Sequence, residues 1–197
     1  VLEFLKRLLK ARGVLFLATR FGTTKMRQAA MDEVYKSGTW DDLDQRVSEE
    51  LVEMVEAHAG GGDILDLGCG PGLLSAALAP EAFASYLGVD VSAEAIAIAN
   101  KRASEKVSFQ LGDIERLRPE RSYDLIVFTE SIMYVNPTRR LKVLKGYADK
   151  LKPRGRLMVT VVQYQRFEAI FDLIASNFEV VEDRMFRHRE RRVIVFS

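Results

Sequence analysis

A doubly wound α/β fold is what this chain of 197 residues encodes. From residue 63 onward, short apolar runs alternate with amphipathic stretches, as strands and crossover helices do in a sheet covered on both faces. The runs 124–129 (DLIVFT) and 156–162 (RLMVTVV) are apolar nearly throughout instead of at every second position, which is how central parallel strands read. A glycine-rich turn follows the first run directly, at the place where such sheets bind ligands.

In chain order, residues 1–12 set Val1, Leu5, Leu8 and Leu9 on one helical face and Lys6, Arg7 and Lys10 around the other. That helix is expected to pack on the domain, to touch an anionic membrane surface weakly, or to mediate self-association. Residues 44–59 form a second helix with Val47, Leu51, Met54 and Val55 as its apolar stripe, stopped by Gly60–Gly61–Gly62. Strand 63–68, helix 72–79, strand 86–91, helix 93–104 and strand 107–112 follow. Strand 123–129, helix 137–151, strand 155–162 and helix 164–177 continue the alternation. The last two β-rich runs, 178–186 and 191–197, stand too close for a crossover helix and pair as an antiparallel hairpin. The length suits one sizeable core, expected as a domain over 44–197 with a helical lid or appendage over 1–43.

Net charge is +1, but the first 30 residues hold seven Lys or Arg against Glu3 alone. The remainder is therefore acidic, which argues against nucleic acid as a partner. A single cysteine, Cys69, excludes an intramolecular disulfide and the usual Cys-based zinc sites. It suits a reducing cytoplasm. Charges at Lys6, Arg7, Lys10 and Arg12 interrupt what a signal peptide would need as an apolar core. No stretch approaches the roughly 18 uninterrupted apolar residues of a membrane span.

In DILDLGCGPGLLS (63–75), Gly68, Gly70 and Gly72 take relative positions one, three and five, and Leu73 holds the sixth. A dinucleotide fingerprint wants glycine at that sixth position, so the match fails. Asp66 would also repel a pyrophosphate, whereas a ligand carrying an ammonium or sulfonium would gain from its charge. Asp90 closes the second strand, where a carboxylate can accept both hydrogens of a ribose diol. Asp113 closes the third, placed to accept from an adenine amine while Ile114 borders the ring.

The set ILDLGCGPG, GVDVS, GDIE, YDLIVFTESIMYV and LKPRGRLMVTV resembles the class I S-adenosylmethionine-dependent methyltransferases over 44–197. The resemblance implies a Rossmann-like domain with sheet order 3-2-1-4-5-7-6, an antiparallel last strand and helices on both faces. It also implies that Asp66, Gly68, Cys69, Gly70 and Gly72 border the methionyl tail of S-adenosylmethionine, Asp90 and Val91 the ribose, and Asp113 and Ile114 the adenine. Thr129 and Glu130 would complete the cofactor site from the fourth strand. Tyr35, Trp40 and Arg46 precede the core, where this family closes a lid over the cofactor. Trp40 serves equally well there as a packing anchor.

The acceptor is judged after the fourth strand. TESIMYV lacks the Asn/Asp-Pro-Pro-aromatic motif of enzymes acting on base amines or glutamine, and it lacks the paired glutamates of arginine methyltransferases. Cys69 lies in the cofactor loop, not where a pyrimidine-attacking nucleophile would stand. Glu130 and Asn136 fall short of a divalent-ion cluster, so no metal is expected. What remains is methyl transfer to an N or O atom of a small molecule, a displacement that needs alignment and desolvation more than chemistry. ESIMY with the upstream Tyr35, Gly38 and Trp40 is similar to the NodS-like N-methyltransferase branch. The catalytic candidates are Glu130, which binds an amine or caps the next segment, Tyr134, which bonds the acceptor or packs in the core, and His188 in the final turn, as a proton acceptor. Arg187, Arg189, Arg191 and Arg192 around it either hold an anion or form a solvated edge. The rivals are a catalytically inactive cofactor-binding or partner-docking protein and an aminopropyltransferase-like enzyme on the same fold.

Overall fold

The computed structural model of the chain describes residues 18, 22–37, 47–186 and 190–197. Among these residues the elements are α1 (Thr24–Lys36), α2 (Glu49–Ala59), β1 (Asp63–Leu67), α3 (Leu73–Ala77), β2 (Ser85–Asp90), α4 (Ala93–Ala99) and β3 (Val107–Leu111). They continue with β4 (Tyr123–Thr129), α5 (Arg140–Ala148), β5 (Leu151–Val161), α6 (Glu168–Ala175), β6 (Val180–Phe186) and β7 (Arg191–Phe196). The basic stretch 1–12, together with Gly38, Trp40, Arg46, Arg187, His188 and Arg189, lies outside the described residues.

The seven strands run β3-β2-β1-β4-β5-β7-β6. Pairing is parallel from β3 through β5, and β7 is antiparallel to both β5 and β6. Alternation explains the continuously apolar strands. Ile126 and Phe128 of β4, Leu157, Val159 and Val161 of β5, and Ile194 and Phe196 of β7 bury against Leu144 and Tyr147 of α5 and Ile170, Phe171 and Ile174 of α6. Leu125, Val127, Met158, Val193 and Val195 point the other way, onto Leu51, Met54, Val55 and Ala59 of α2.

Element ends differ from the sequence pattern for local reasons. Helix α5 starts at Arg140, not 137, because Asn136 accepts hydrogen bonds from the backbone N–H and the hydroxyl of Thr138, making an Asx turn around Pro137. Helix α3 ends early because the Glu56 carboxylate takes the Ala79 N–H, and Pro80 follows. Strand β5 begins at Leu151, four residues before the expected start at 155, and carries an irregularity there: Tyr123 pairs with Leu151, and Leu125 with Arg156.

Helix α1 was not legible as an element. Thr23 caps it by accepting from the Met26 N–H. Its buried face consists of Arg27, Ala30 and Val34, too small and too polar to register as an apolar stripe. No described helix is long and apolar enough to cross a membrane.

Candidate functional site

The strand order reverses between β1 and β4, and in an open parallel sheet the crevice beyond the carboxyl ends at such a reversal is where a ligand fits. The glycine turn leaves β1 on this side. Gly68, Gly70 and Gly72 all adopt left-handed backbone conformations, at φ 81°, 53° and 78°, which is why glycine occupies alternate positions. A Cβ at Gly68 would meet the Ser131 Cβ from the turn after β4, and one at Gly70 would stand 2.8 Å from the Tyr35 hydroxyl. The turn is thereby packed between β4 and α1. Ser131 Oγ donates to the Leu67 carbonyl and ties the two sides of the reversal together.

The carboxylates named from the sequence gather here under different conditions. Asp90 Oδ2 accepts from the Gly70 N–H at 2.9 Å and Oδ1 from the Ser92 N–H at 2.8 Å, so the second strand end fixes the glycine turn. Burial nevertheless pushes the Asp90 carboxyl above its ordinary value. Asp66 Oδ2 accepts from the Tyr86 hydroxyl, while Oδ1 is buried without a hydrogen-bond partner. Burial raises Asp66 to about 7, with the nearby Asp90 adding to the rise and the Tyr86 bond opposing it. Across the reversal, Thr129 Oγ1 at the end of β4 is likewise buried without a partner. Two unsatisfied polar atoms on the two strands flanking the crevice are the condition a bound polar ligand would relieve.

Asp113 differs. Burial pushes it up, but hydrogen bonds from Thr24 and Arg27 outweigh this and hold it below the usual carboxylate range. Its Oδ1 accepts from the Glu115 N–H at 3.0 Å. Ile114 follows, half-buried against the core, and its carbonyl accepts from the Tyr147 hydroxyl at 2.9 Å. Val91 sits half-buried between Asp90 and Ser92.

Cys69 is buried, and its thiol is pushed far above its usual range by burial and by the charges of Asp66 and Asp90. It is an inert wall of the turn, not a nucleophile. Tyr35 is raised similarly, by burial first and then by Asp90, so its hydroxyl stays protonated and acts as a donor. Tyr134 lies close enough to Tyr35 to contribute to that rise, and it packs against the cluster of Ala18 and Ala30.

Glu130 turns toward the neighbouring strands. Its Oε2 accepts from the Val162 N–H at 2.8 Å, its Oε1 from Thr160 at 3.2 Å, and Arg191 of β7 stands 3.6 Å away. Arg191 is buried and also donates to Ser48 Oγ at 2.7 Å, so it is no solvated edge residue. Arg192 pairs with Asp183 and lies over the Phe171 ring at 4.4 Å. His58 binds Glu182 at 2.7 Å, tying α2 to β6 at a distance from the crevice.

Sequence reasoning missed the contributors from α1. Asp32 Oδ1 accepts from the Ser92 hydroxyl at 2.6 Å and from the Glu94 N–H at 3.3 Å, joining α1 to the start of α4. Thr24 and Arg27 join it to Asp113. Helix α1 thus reaches the ends of β2 and β3, and the glycine turn through Tyr35. Only the Thr23 cap signal and the i, i+3, i+7 spacing of Arg27, Ala30 and Val34 could have announced it.

The residues present fit a ligand with a positive charge beside a nucleoside. The orphaned buried Asp66 Oδ1 and the raised Asp66 and Asp90 carboxyls both want a cation, and the glycines permit close backbone approach.

Residues 64–155 match the family described as methyltransferase domain. The malonyl-[acyl-carrier protein] O-methyltransferase of Priestia megaterium is 29% identical over 133 residues, which cover 66% of this chain and 48% of that protein. The ubiquinone biosynthesis O-methyltransferase of Coxiella burnetii is 30% identical over 122 residues, covering 60% of this chain and 51% of that one. The chain spans about half the length of these relatives. Among solved structures, the N-methyltransferase NodS from Bradyrhizobium japonicum WM9 in complex with S-adenosyl-L-homocysteine superposes with TM-score 0.63 at 20% identity, covering 80% of this chain and 89% of that chain. A parallel sheet that reverses at β1/β4 and closes on an inserted antiparallel β7 is the fold of the class I S-adenosylmethionine-dependent methyltransferases, and residues 64–155 within it carry the match to the methyltransferase-domain family.

Proposed function

We propose that this protein transfers a methyl group from S-adenosylmethionine to an N or O atom of a small molecule, by in-line displacement without a metal ion. The buried, unpartnered Asp66 Oδ1 at the head of the glycine turn carries this reading, because a carboxylate so placed has use for a cation and none for a phosphate. When bound, the cofactor supplies a methyl group on a sulfonium, already activated for transfer.

The chain's own task is then to hold, align and dry the reactants. Asp66 counters the positive charge of the tail, with Gly68, Cys69, Gly70 and Gly72 giving it backbone at close range. Asp90 and Val91 take the ribose, Asp90 being held at the end of β2 by the backbone N–H groups of Gly70 and Ser92. Asp113 and Ile114 take the base. Tyr35 donates from above the turn, and Thr129 from the end of β4.

Tyr134 is kept as the acceptor-side residue, because it follows β4 and lies close enough to Tyr35 to act on its hydroxyl electrostatically. Glu130 acts on the site through the strand ends it joins. Trp40 and Arg46 are assigned to the lid over the cofactor, and His188 to the acceptor side, by sequence position alone. The O-methyltransferase relatives and the N-methyltransferase neighbour leave both atoms in the proposal.

The test is a labelled-methyl screen across amine, hydroxyl and carboxyl acceptors, run alongside calorimetric titration with S-adenosylmethionine. Binding with turnover on at least one small acceptor is expected. Binding without turnover on any acceptor would favour the inactive cofactor-binding rival, and Asp90→Ala retaining full affinity would overturn the site.

A further inference from the structure

Arg27 lies in α1, outside the residues that match the family, yet it is only 7% exposed. Its guanidinium donates to Asp113 Oδ2, which also accepts from Thr24 Oγ1 at 2.5 Å. A second guanidinium nitrogen donates to the Gly22 carbonyl at 3.0 Å and stands 3.8 Å from Glu115. Glu115 is itself engaged by the Asn136 N–H at 3.0 Å and by Arg139 at 2.9 Å. Two features are left over in this buried cluster. Asp113 Oδ1, bonded once by the Glu115 N–H, keeps a second lone pair. Arg27 Nε is buried with no hydrogen-bond partner.

We propose that Arg27, assisted by Thr24, sets nucleobase selectivity by holding Asp113 as an acceptor only, so that the site takes a purine bearing an exocyclic amine beside a ring nitrogen and refuses its keto counterpart; this rests on the placement of Asp113 at the base end of the cofactor site proposed above. An aminopurine edge offers one donor and one acceptor, the complement of the leftover lone pair and the leftover N–H. A keto edge offers an acceptor where Asp113 needs a donor, and two acceptors cannot bond. Without the guanidinium, a carboxyl this buried would take up a proton. It could then donate to a keto oxygen as readily as accept from an amine, and the selectivity would fade. Arg27 is in this sense a positioning residue, acting on the ligand through Asp113.

The experiment compares equilibrium binding of S-adenosylhomocysteine and its deaminated counterpart, S-inosylhomocysteine. A hydrogen bond to a charged acceptor predicts that the wild type prefers the adenosyl compound by about 10- to 100-fold. Arg27→Met should reduce that preference to within about threefold. Should Arg27→Met fail to fold, Arg27→Lys keeps the charge but loses the fork, and Thr24→Val removes the second donor. Both are read by the same ratio: Thr24→Val is expected to lower it, and Arg27→Lys, whose charge still keeps Asp113 ionised, to retain most of it. Equal weakening of both ligands with an unchanged ratio would show that Arg27 only supports the fold, and would overturn the proposal. Failure of the wild type to bind either compound would overturn the cofactor reading, a result distinct from an unchanged ratio.

Discussion

Tyr86 of β2 donates its hydroxyl hydrogen to Asp66 Oδ2 of the adjacent β1, so the carboxylate at the base of the glycine turn has one oxygen satisfied and one buried and unsatisfied. Asp66 is therefore a liability to the fold that a cationic ligand turns to use. In the folded state burial lifts it to about 7, above the ordinary carboxylate value of 3.8. The native state thus holds a proton that the unfolded state has lost, and stability from this group falls as pH rises from about 4 to about 7. Asp66→Asn removes that loss, which is on the order of a few kcal/mol. The variant should melt above the wild type at pH 8 and lose the thermal shift that S-adenosylmethionine gives the wild type. A lower melting temperature at pH 8, measured by calorimetry, would contradict this account.

Cofactor affinity should depend on pH with the opposite sense. A cation prefers the ionised carboxylate, so below pH 7 binding must expel the Asp66 proton. Affinity for S-adenosylmethionine should rise by up to about tenfold per pH unit from pH 5 to 7 and level off above. Titrations below pH 7, in two buffers of different ionisation enthalpy, should reveal proton release. Tyr86→Phe removes a bond that lowers Asp66, so the levelling-off should move to higher pH.

The glycines separate into two kinds. Gly68 has φ 81° and no room for a Cβ against Ser131, whereas Gly60, with φ 54° at the end of α2, has nothing within 4 Å. Gly60→Ala should cost only about 1 kcal/mol, the price of the backbone conformation. Gly68→Ala adds a collision at the strand reversal and should cost about 3 kcal/mol or more, with loss of cofactor binding. Urea denaturation of the two variants gives the comparison, and equal costs would refute it.

The sheet was legible because its strands are buried on both faces: the unbroken runs at 124–129 and 156–162 have no other economical explanation in a chain of this length. The antiparallel end was legible from loop length alone, since only four residues stand between β6 and β7. The strand-end carboxylates were legible from spacing, but their states were not. Asp66 and Asp113 read alike as Asp at the close of a strand. One is pushed up by burial and the other held down by donors that come from 86 to 89 residues away. Helix α1 stayed hidden because an arginine, an alanine and a valine form its buried face, and nothing local shows that the arginine's partner is Asp113. Glu130 was read with the chemistry because it follows β4, whereas its bonds to Thr160 and Val162 arise from strand pairing that sequence spacing does not display.

That placement of Glu130 supplies the last prediction. The residue holds a left-handed backbone at φ 53°, unusual outside glycine, and its side chain joins the ends of β5 and β7 through Val162 and Arg191. Glu130→Ala removes a carboxylate 3.6 Å from the buried Arg191 guanidinium and the acceptor of the Val162 N–H, a loss of about 2–4 kcal/mol. Glu130→Gln keeps an oxygen for the Val162 N–H and should lose about half as much. If Glu130 acts through the strand ends, the two variants should lose activity in step with stability, and turnover should recover when temperature is lowered. If it contacts the acceptor amine directly, Glu130→Gln should instead lose turnover far beyond its loss of stability. Melting curves and single-turnover methyl transfer, measured on the same samples, separate the two outcomes.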